Sequence, residues 1–240
     1  MPETPSPAFH PTRWSLVLQS RGDGERARVA LEDLCQAYWF PLYAWSRRFG
    51  ASPSDAEDYV QGFFVQVLEK RLFADADPAK GKLRTFMLTA FRRHVHDEQR
   101  KQARLKRGGG SLVSFDAAQA ESWYEAEQVA GESPDHMFDR EWALTVLDQA
   151  MRALEEWADE AGKVAPFAAM RPFLQQDGDA TQYEDAGRSL GMSANAFKVA
   201  VHRLRHRFRD ALRTEVAATQ AEGESVDEEM SYLMRVLHGE

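Results

Sequence analysis

One stretch limits the fold more than any other: "TQYEDAGRSLGMSANAFKVAVHRLRHRFRDALR", residues 181–213. Thr181 is suited to cap a short helix. Gly191 is suited to end it, because glycine takes the left-handed conformation that closes a helix. Ser193 then caps a second helix. There Phe197, Val201, Leu204, Phe208 and Leu212 recur at three- and four-residue steps, the mark of one buried face. Lys198, Arg203, Arg205, Arg207, Arg209 and Arg213 cover the rest. A short helix, a glycine turn and a long basic helix make a helix-turn-helix. Generic amphipathic hairpins imitate the pattern, but rarely with six Lys or Arg on the second helix.

The remaining chain also reads as helix, and no strand-like alternation persists. A short helix, the turn "RGDGER" and a new helix fill residues 13–34. Leu31, Leu34, Tyr38, Leu42 and Trp45 mark one buried face, with Pro41 expected to kink it. In "SPSDAEDYVQGFF", residues 52–64, Ser52 is an N-cap, Pro53 occupies the first helical position and Asp55 falls three residues after the cap. Another helix is expected from Leu83 to Arg107, apolar first and polycationic later, stopped by Gly108, Gly109 and Gly110. Residues 111–136 look like a linker rich in Ser, Ala, Glu and Gly. A second helical module starts near Ser133 or Asp135, with Trp142, Val146, Ala150 and Leu154 marking an amphipathic helix. Residues 215–240 are acidic at first and close with an apolar pattern at Met230, Leu233, Met234 and Leu237. The fold class is therefore all-α, two helical domains joined by a linker.

Charge distribution says more than charge balance. The net charge of −8 over 240 residues argues against a nucleic-acid partner. Yet residues 80–107 hold ten Lys or Arg, residues 198–213 hold six, and the acidic segment 114–161 separates them. Two basic blocks point to polyanion contacts by two modules; two solvated helix faces are the competing explanation. A single cysteine, Cys35, excludes intramolecular disulfides and any zinc site of several thiolates. No apolar run approaches the ~18 residues of a membrane span, and no secretory signal is visible. A cytoplasmic location without membrane association is the default expectation.

Two separate segments resemble one family. "LCQAYWFPLYAWSRRFG", "SDAEDYVQGFFVQVLEK" and "GKLRTFMLTAFRRHVHDEQRKQ" are similar to the first conserved domain of a bacterial RNA polymerase sigma factor of the extracytoplasmic-function (group IV, sigma-70 family) class. Residues 139–213 resemble its second domain. The resemblance implies an N-terminal extension at 1–33, a region 2-like domain at 34–108, a linker at 109–136, a region 4-like domain at 137–214 and an acidic extension at 215–240. It also implies a protein that does no chemistry and takes no cofactor. Its partners would be core RNA polymerase, promoter DNA and, for control, an anti-sigma factor or a Ser/Thr kinase pathway.

The resemblance distributes roles over residues. Asp55, Asp58, Gln61 and Gly62 would dock on polymerase, although the acids also complement a helix dipole. Arg84, Arg92, Arg93, His96, Arg100 and Lys101 would contact the −10 element, with loop 74–82 cradling an unstacked base. Phe86 and Phe91 offer stacking platforms, but helical spacing favours core packing. Lys198, Val199, His202 and Arg203 would read −35 bases, and Ser193, Arg205 and Arg207 would contact phosphates. Gly187 stands where alanine is usual and should weaken its helix by about 1 kcal/mol unless it permits close packing. Some relatives carry a phosphorylated Thr before "QGFF"; Val60 removes that switch here.

Three readings compete. A sigma factor is the first. A stand-alone helix-turn-helix regulator is the second, though it leaves the other basic block unexplained. An all-helical metal-dependent hydrolase using the carboxylates at 55–58 is the third, and it lacks a second carboxylate set. His202 and His206 are spaced to share an ion but have no third ligand; His94 and His96 are not so spaced. The tail, with Glu222, Glu224, Asp227, Glu228 and Glu229, is expected to fold back on one domain, the basic recognition helix being one target.

Overall fold

The computed structural model describes residues 13–22, 24–69, 72–73, 76–77, 79, 81–104, 117–126, 131–221 and 223–239. Among these, all regular structure is helical, as the periodicity requires. Ten α-helices follow in order: α1 (Arg13–Ser20), α2 (Glu25–Arg48), α3 (Pro53–Leu68), α4 (Leu83–Arg104), α5 (Ala117–Ala126), α6 (Pro134–Glu160), α7 (Val164–Met170), α8 (Ala180–Ser189), α9 (Ala194–Ala217) and α10 (Val226–His238). A 3-10 turn, Arg171–Phe173, follows α7. The expected glycine stop at 108–110 lies outside the described residues.

The chain divides into two compact units. Unit 1 holds residues up to 145 together with 216–240, and unit 2 holds 146–215. The division falls inside α6 and near the end of α9.

Unit 1 is built on α2, α3 and α4. α2 continues through Pro41 as one helix and buries Leu34, Tyr38, Leu42 and Trp45. α3 starts as its sequence dictates: the Ser52 hydroxyl oxygen accepts from the Asp55 N–H at 3.1 Å, with Pro53 in the first turn. Its Phe63 meets Phe91 of α4 edge-on, with ring centroids 5.2 Å apart. Segments outside this bundle complete the unit. The Trp14 N–H at the start of α1 donates to Ala218 O, and the Leu83 N–H at the start of α4 donates to Thr219 O, each at 3.2 Å. Successive carbonyls of the C-terminal segment thus satisfy the orphan donors of two helices. Leu233 and Val236 of α10 are buried as well.

The segment read as a linker contains α5, which packs on α2. Glu121 of α5 accepts from Arg47 Nε at 2.8 Å, from Arg47 Nη2 at 2.6 Å and from the Tyr43 hydroxyl at 2.6 Å. The Arg47 bond, opposed by desolvation, holds the Glu121 carboxyl below its usual range. Trp123 meets Phe40 edge-on at 5.5 Å.

Unit 2 closes on Leu154, Ala158, Phe167, Met170, Tyr183, Phe197, Val201 and Leu204. Its helix-turn-helix forms as expected, with one shift. The cap of α8 is Asp179, two residues before Thr181. Asp179 accepts from the Gln182 N–H at 2.8 Å, and the Gln182 side chain accepts from the Asp179 N–H at 2.9 Å. This reciprocal box satisfies two donors, which a lone threonine cannot do. Gly191 has φ +67°, and the Met192 N–H returns to Gly187 O at 2.9 Å. The two features close α8 as a Schellman motif. Ser193 caps α9 by accepting from the Ala196 N–H at 3.2 Å. Gly187 permits the close packing its position needs: a Cβ there would lie 3.1 Å from Met192 O and 3.3 Å from Phe197 Cβ.

Candidate nucleic-acid and polymerase-binding surfaces

On α3, the exposed stripe runs through Asp58, Val65 and Leu68. Their spacing of seven and three residues keeps them on one face. Leu68 is 46% exposed, and Val65 is 40% exposed. Asp55 is partly engaged at the helix cap, accepting from the Ser52 hydroxyl at 2.7 Å. Gln61 is buried and donates to Glu57 Oε1 at 2.8 Å, so its amide faces its own helix. Gly62 is small for a reason: a Cβ there would lie 3.2 Å from His94 Nε2. The His94 ring is buried beneath α3 with Nδ1 3.0 Å from Gln66 Nε2, and burial pulls its pKa down. Val60 is fully buried, so the position of the relatives' phosphorylated Thr faces the core here.

On α4, the six basic residues divide. Arg93, His96, Arg100 and Lys101 are exposed. The first three share one face at steps of three and four. Arg100 pairs with Asp97, and Lys101 Nζ lies 2.6 Å from Glu98 Oε1. Arg92 pairs with Asp135, and its guanidinium lies 5.8 Å from the Trp45 ring centre. His96 meets Phe49 edge-on at 5.9 Å. Arg84 corrects the sequence reading. It is buried at 8% exposure, bonds Glu229 Oε1 through Nε at 2.9 Å and pairs with Asp139 through Nη1. The rings of Trp142 and Tyr232 lie 5.4 Å and 4.8 Å from its guanidinium carbon. In this conformation Arg84 cannot reach a phosphate. Phe91 is also core, and Phe86 is half-buried against Trp14. Much of loop 74–82 lies outside the described residues.

The same contacts correct the expected target of the tail. Glu229 accepts from Lys82 and Arg84 of unit 1 and makes its pairs there, not with α9. Burial and the Asp139 carboxylate beside it push the Tyr232 hydroxyl up to about 12, so it stays a hydrogen-bond donor. Sequence reasoning missed this cage because it joins three distant segments: Arg84, the Asp139–Trp142 turn of α6 and the Glu229–Tyr232 turn of α10. Trp142 carried a signal as an apolar helix position and Glu229 as an acid of the tail, but neither pointed to Arg84.

On α9, Ser193, Lys198, Val199, His202, Arg203 and Arg207 are exposed. Val199 is 44% exposed, an apolar side chain on a cationic surface. Lys198 Nζ lies 5.8 Å from the Tyr183 ring. Arg207 lies 4.0 Å over Trp157, which occupies its guanidinium face. Arg205 differs from its expected role. Its Nε donates to Phe173 O at 2.8 Å, Nη2 to Gln176 O at 2.9 Å and Nη1 to Asp177 at 2.6 Å. It fastens the 173–177 turn rather than facing a phosphate. His202 and His206 stand with ring centroids 4.6 Å apart. Among the described residues, no cluster of three or more His, Cys, Asp or Glu is placed to hold a metal ion, and no helix is long and apolar enough to cross a membrane.

Residues 34–105 match the family model of Sigma-70 region 2. The match runs from within α2 to the end of α4 and includes the α3 stripe and the exposed cations of α4. The match covers less than a third of the 240 residues. The helix-turn-helix and α10 lie outside it. No curated protein and no solved structure matches the chain.

Proposed function

We propose that the protein is a sigma factor of the extracytoplasmic-function type, which binds core RNA polymerase and directs promoter-specific transcription initiation. The match of residues 34–105 to Sigma-70 region 2 carries this reading. The α8–α9 helix-turn-helix in the following unit supports the finer assignment.

The division of work follows from the exposed chemistry. Asp58, Gly62, Val65 and Leu68 form the polymerase-docking stripe, the two apolar side chains supplying contact area and the acid setting register. Arg93, His96, Arg100 and Lys101 hold the phosphates of the opened −10 strand. Lys198, Val199, His202 and Arg203 meet the −35 duplex in the major groove, with Arg203 suited to guanine O6 and N7 and Val199 suited to a thymine methyl. Ser193 and Arg207 reach phosphates. The protein moves no bond; it contributes position and charge. Control by a separate anti-sigma protein belongs to the same reading, since the buried Val60 offers no hydroxyl to a kinase.

The test is to mix the protein with core RNA polymerase. Co-elution on gel filtration and promoter-dependent transcripts are expected. A protein that binds duplex DNA alone and never enters the polymerase peak would be a stand-alone regulator, and the proposal would fail.

A further inference from the structure

We infer that α10 is an internal latch on the start of α4: Glu229 occupies Lys82 in place of a nucleic-acid phosphate. The inference rests on reading unit 1 as a DNA-contacting domain.

Glu229 is 1% exposed and accepts from both Lys82 and Arg84. The two cations are not equivalent. Arg84 also binds Asp139 and is flanked by Trp142 and Tyr232, so it is fixed. Lys82 has a side chain 29% exposed and an ammonium with three donors. Its departure leaves Glu229 still paired with Arg84, so no buried charge is stranded. The exchange of Lys82 between Glu229 and another anion is therefore the low-cost motion of this cluster.

The surroundings identify the anion. Lys82 lines a cleft of about 800 Å³ with Trp14 of α1 and with Thr85, Phe86, Thr89 and Arg93 of α4. Asp77 and Asp97 also line the cleft, so a single-stranded sugar–phosphate backbone would follow the Lys82–Thr85–Thr89–Arg93 side, where cations, hydroxyls and the Phe86 ring lie together. Arg93 on this wall also belongs to the exposed cationic face of α4, so a strand held there reaches Lys82 next. Glu224, also in the lining, repels the same strand. Glu224 and Glu229 both lie outside the Sigma-70 region 2 match, so the neutralising groups come from a part of the chain that the family model does not include.

The test is the salt dependence of binding of the full chain to a fluorescent single-stranded oligothymidine. Glu229→Gln keeps the shape and removes the charge. One additional phosphate contact should steepen the slope of log K against log salt by about 0.7, a gain of roughly fivefold in affinity over a roughly tenfold dilution of salt. Adding Lys82→Ala to Glu229→Gln should abolish the gain. An unchanged slope, or a gain that survives Lys82→Ala, overturns the latch. Should Glu229→Gln melt unit 1, Lys82→Ala in the otherwise unchanged chain serves instead: a lysine held by Glu229 adds nothing to the salt slope, so an unchanged slope is expected and a slope flattened by about 0.7 overturns the latch. The measurement needs no polymerase. Failure to form a polymerase complex therefore leaves it standing, while a normal complex with an unchanged slope rejects the latch alone.

Discussion

At Gly62 the absence of a side chain is a packing requirement set by His94. A Gly62→Ala methyl would press on the imidazole at 3.2 Å, and the ring is boxed in by Phe63 and Phe91. The substitution should destabilise unit 1 by about 1–3 kcal/mol, read from urea unfolding. His94 also sets a pH dependence. Burial holds its folded pKa below the ordinary 6.5; Glu98 and Asp97 oppose that and Lys101 adds to it. Below the unfolded value the unfolded chain binds a proton that the native ring refuses, so stability rises with pH there and is lost as pH falls from about 6.5 downward. The urea midpoint of the wild type should drop between about pH 7.5 and about pH 5.5, and His94→Gln should flatten that drop. Asp58 is exposed, so Asp58→Lys should lower polymerase affinity by roughly tenfold with an unchanged melting temperature. Gel-filtration co-elution and thermal melting separate the two effects.

Among the helices, local signals were legible and distant ones were not. Ser52, Ser193 and Gly191 announced their roles because a cap depends on neighbours within four residues. The α8 cap moved to Asp179 because Gln182 completes a box there. Asp179→Ala should therefore cost unit 2 about 1 kcal/mol in thermal melting, whereas Thr181→Ala should cost little. Arg84 and Arg205 resembled the other cations in the sequence. Only the packed structure shows that one is caged and the other fastens a turn, since burial is a property of partners 28 or more residues away. The α5 helix was unreadable for the same reason. Its Ser-, Ala- and Glu-rich sequence has weak amphipathicity, and Arg47 of α2 fixes it through Glu121. Of the surfaces, the α3 acids and the α4 and α9 cations were visible in advance. Leu68 was not, because a wide apolar face does not reveal which edge stays uncovered.

For the whole molecule, the acidic extension is part of unit 1. Its removal at residue 215 takes away the carbonyls that accept from Trp14 and Leu83, the buried Leu233 and Val236, and the carboxylate beside Arg84. Apolar burial alone is worth about 1.5–3 kcal/mol for each of the two side chains. The truncated chain should therefore unfold at lower urea by tryptophan fluorescence and bind DNA less well. Tighter DNA binding by a stably folded truncation would instead show a dispensable flap. The interleaving of the two units also sets an order in time. Unit 2 is one uninterrupted stretch, so it can fold as it leaves the ribosome. Unit 1 holds most of its residues earlier in the chain, yet it cannot close until residues 216–239 have been synthesised. The half-built domain, with the apolar faces of α2, α3 and α4 in place and their last cover missing, is the species on which a nascent-chain chaperone would act. A later stretch of the chain, 216–239, thus decides when the earlier helices of unit 1 become native.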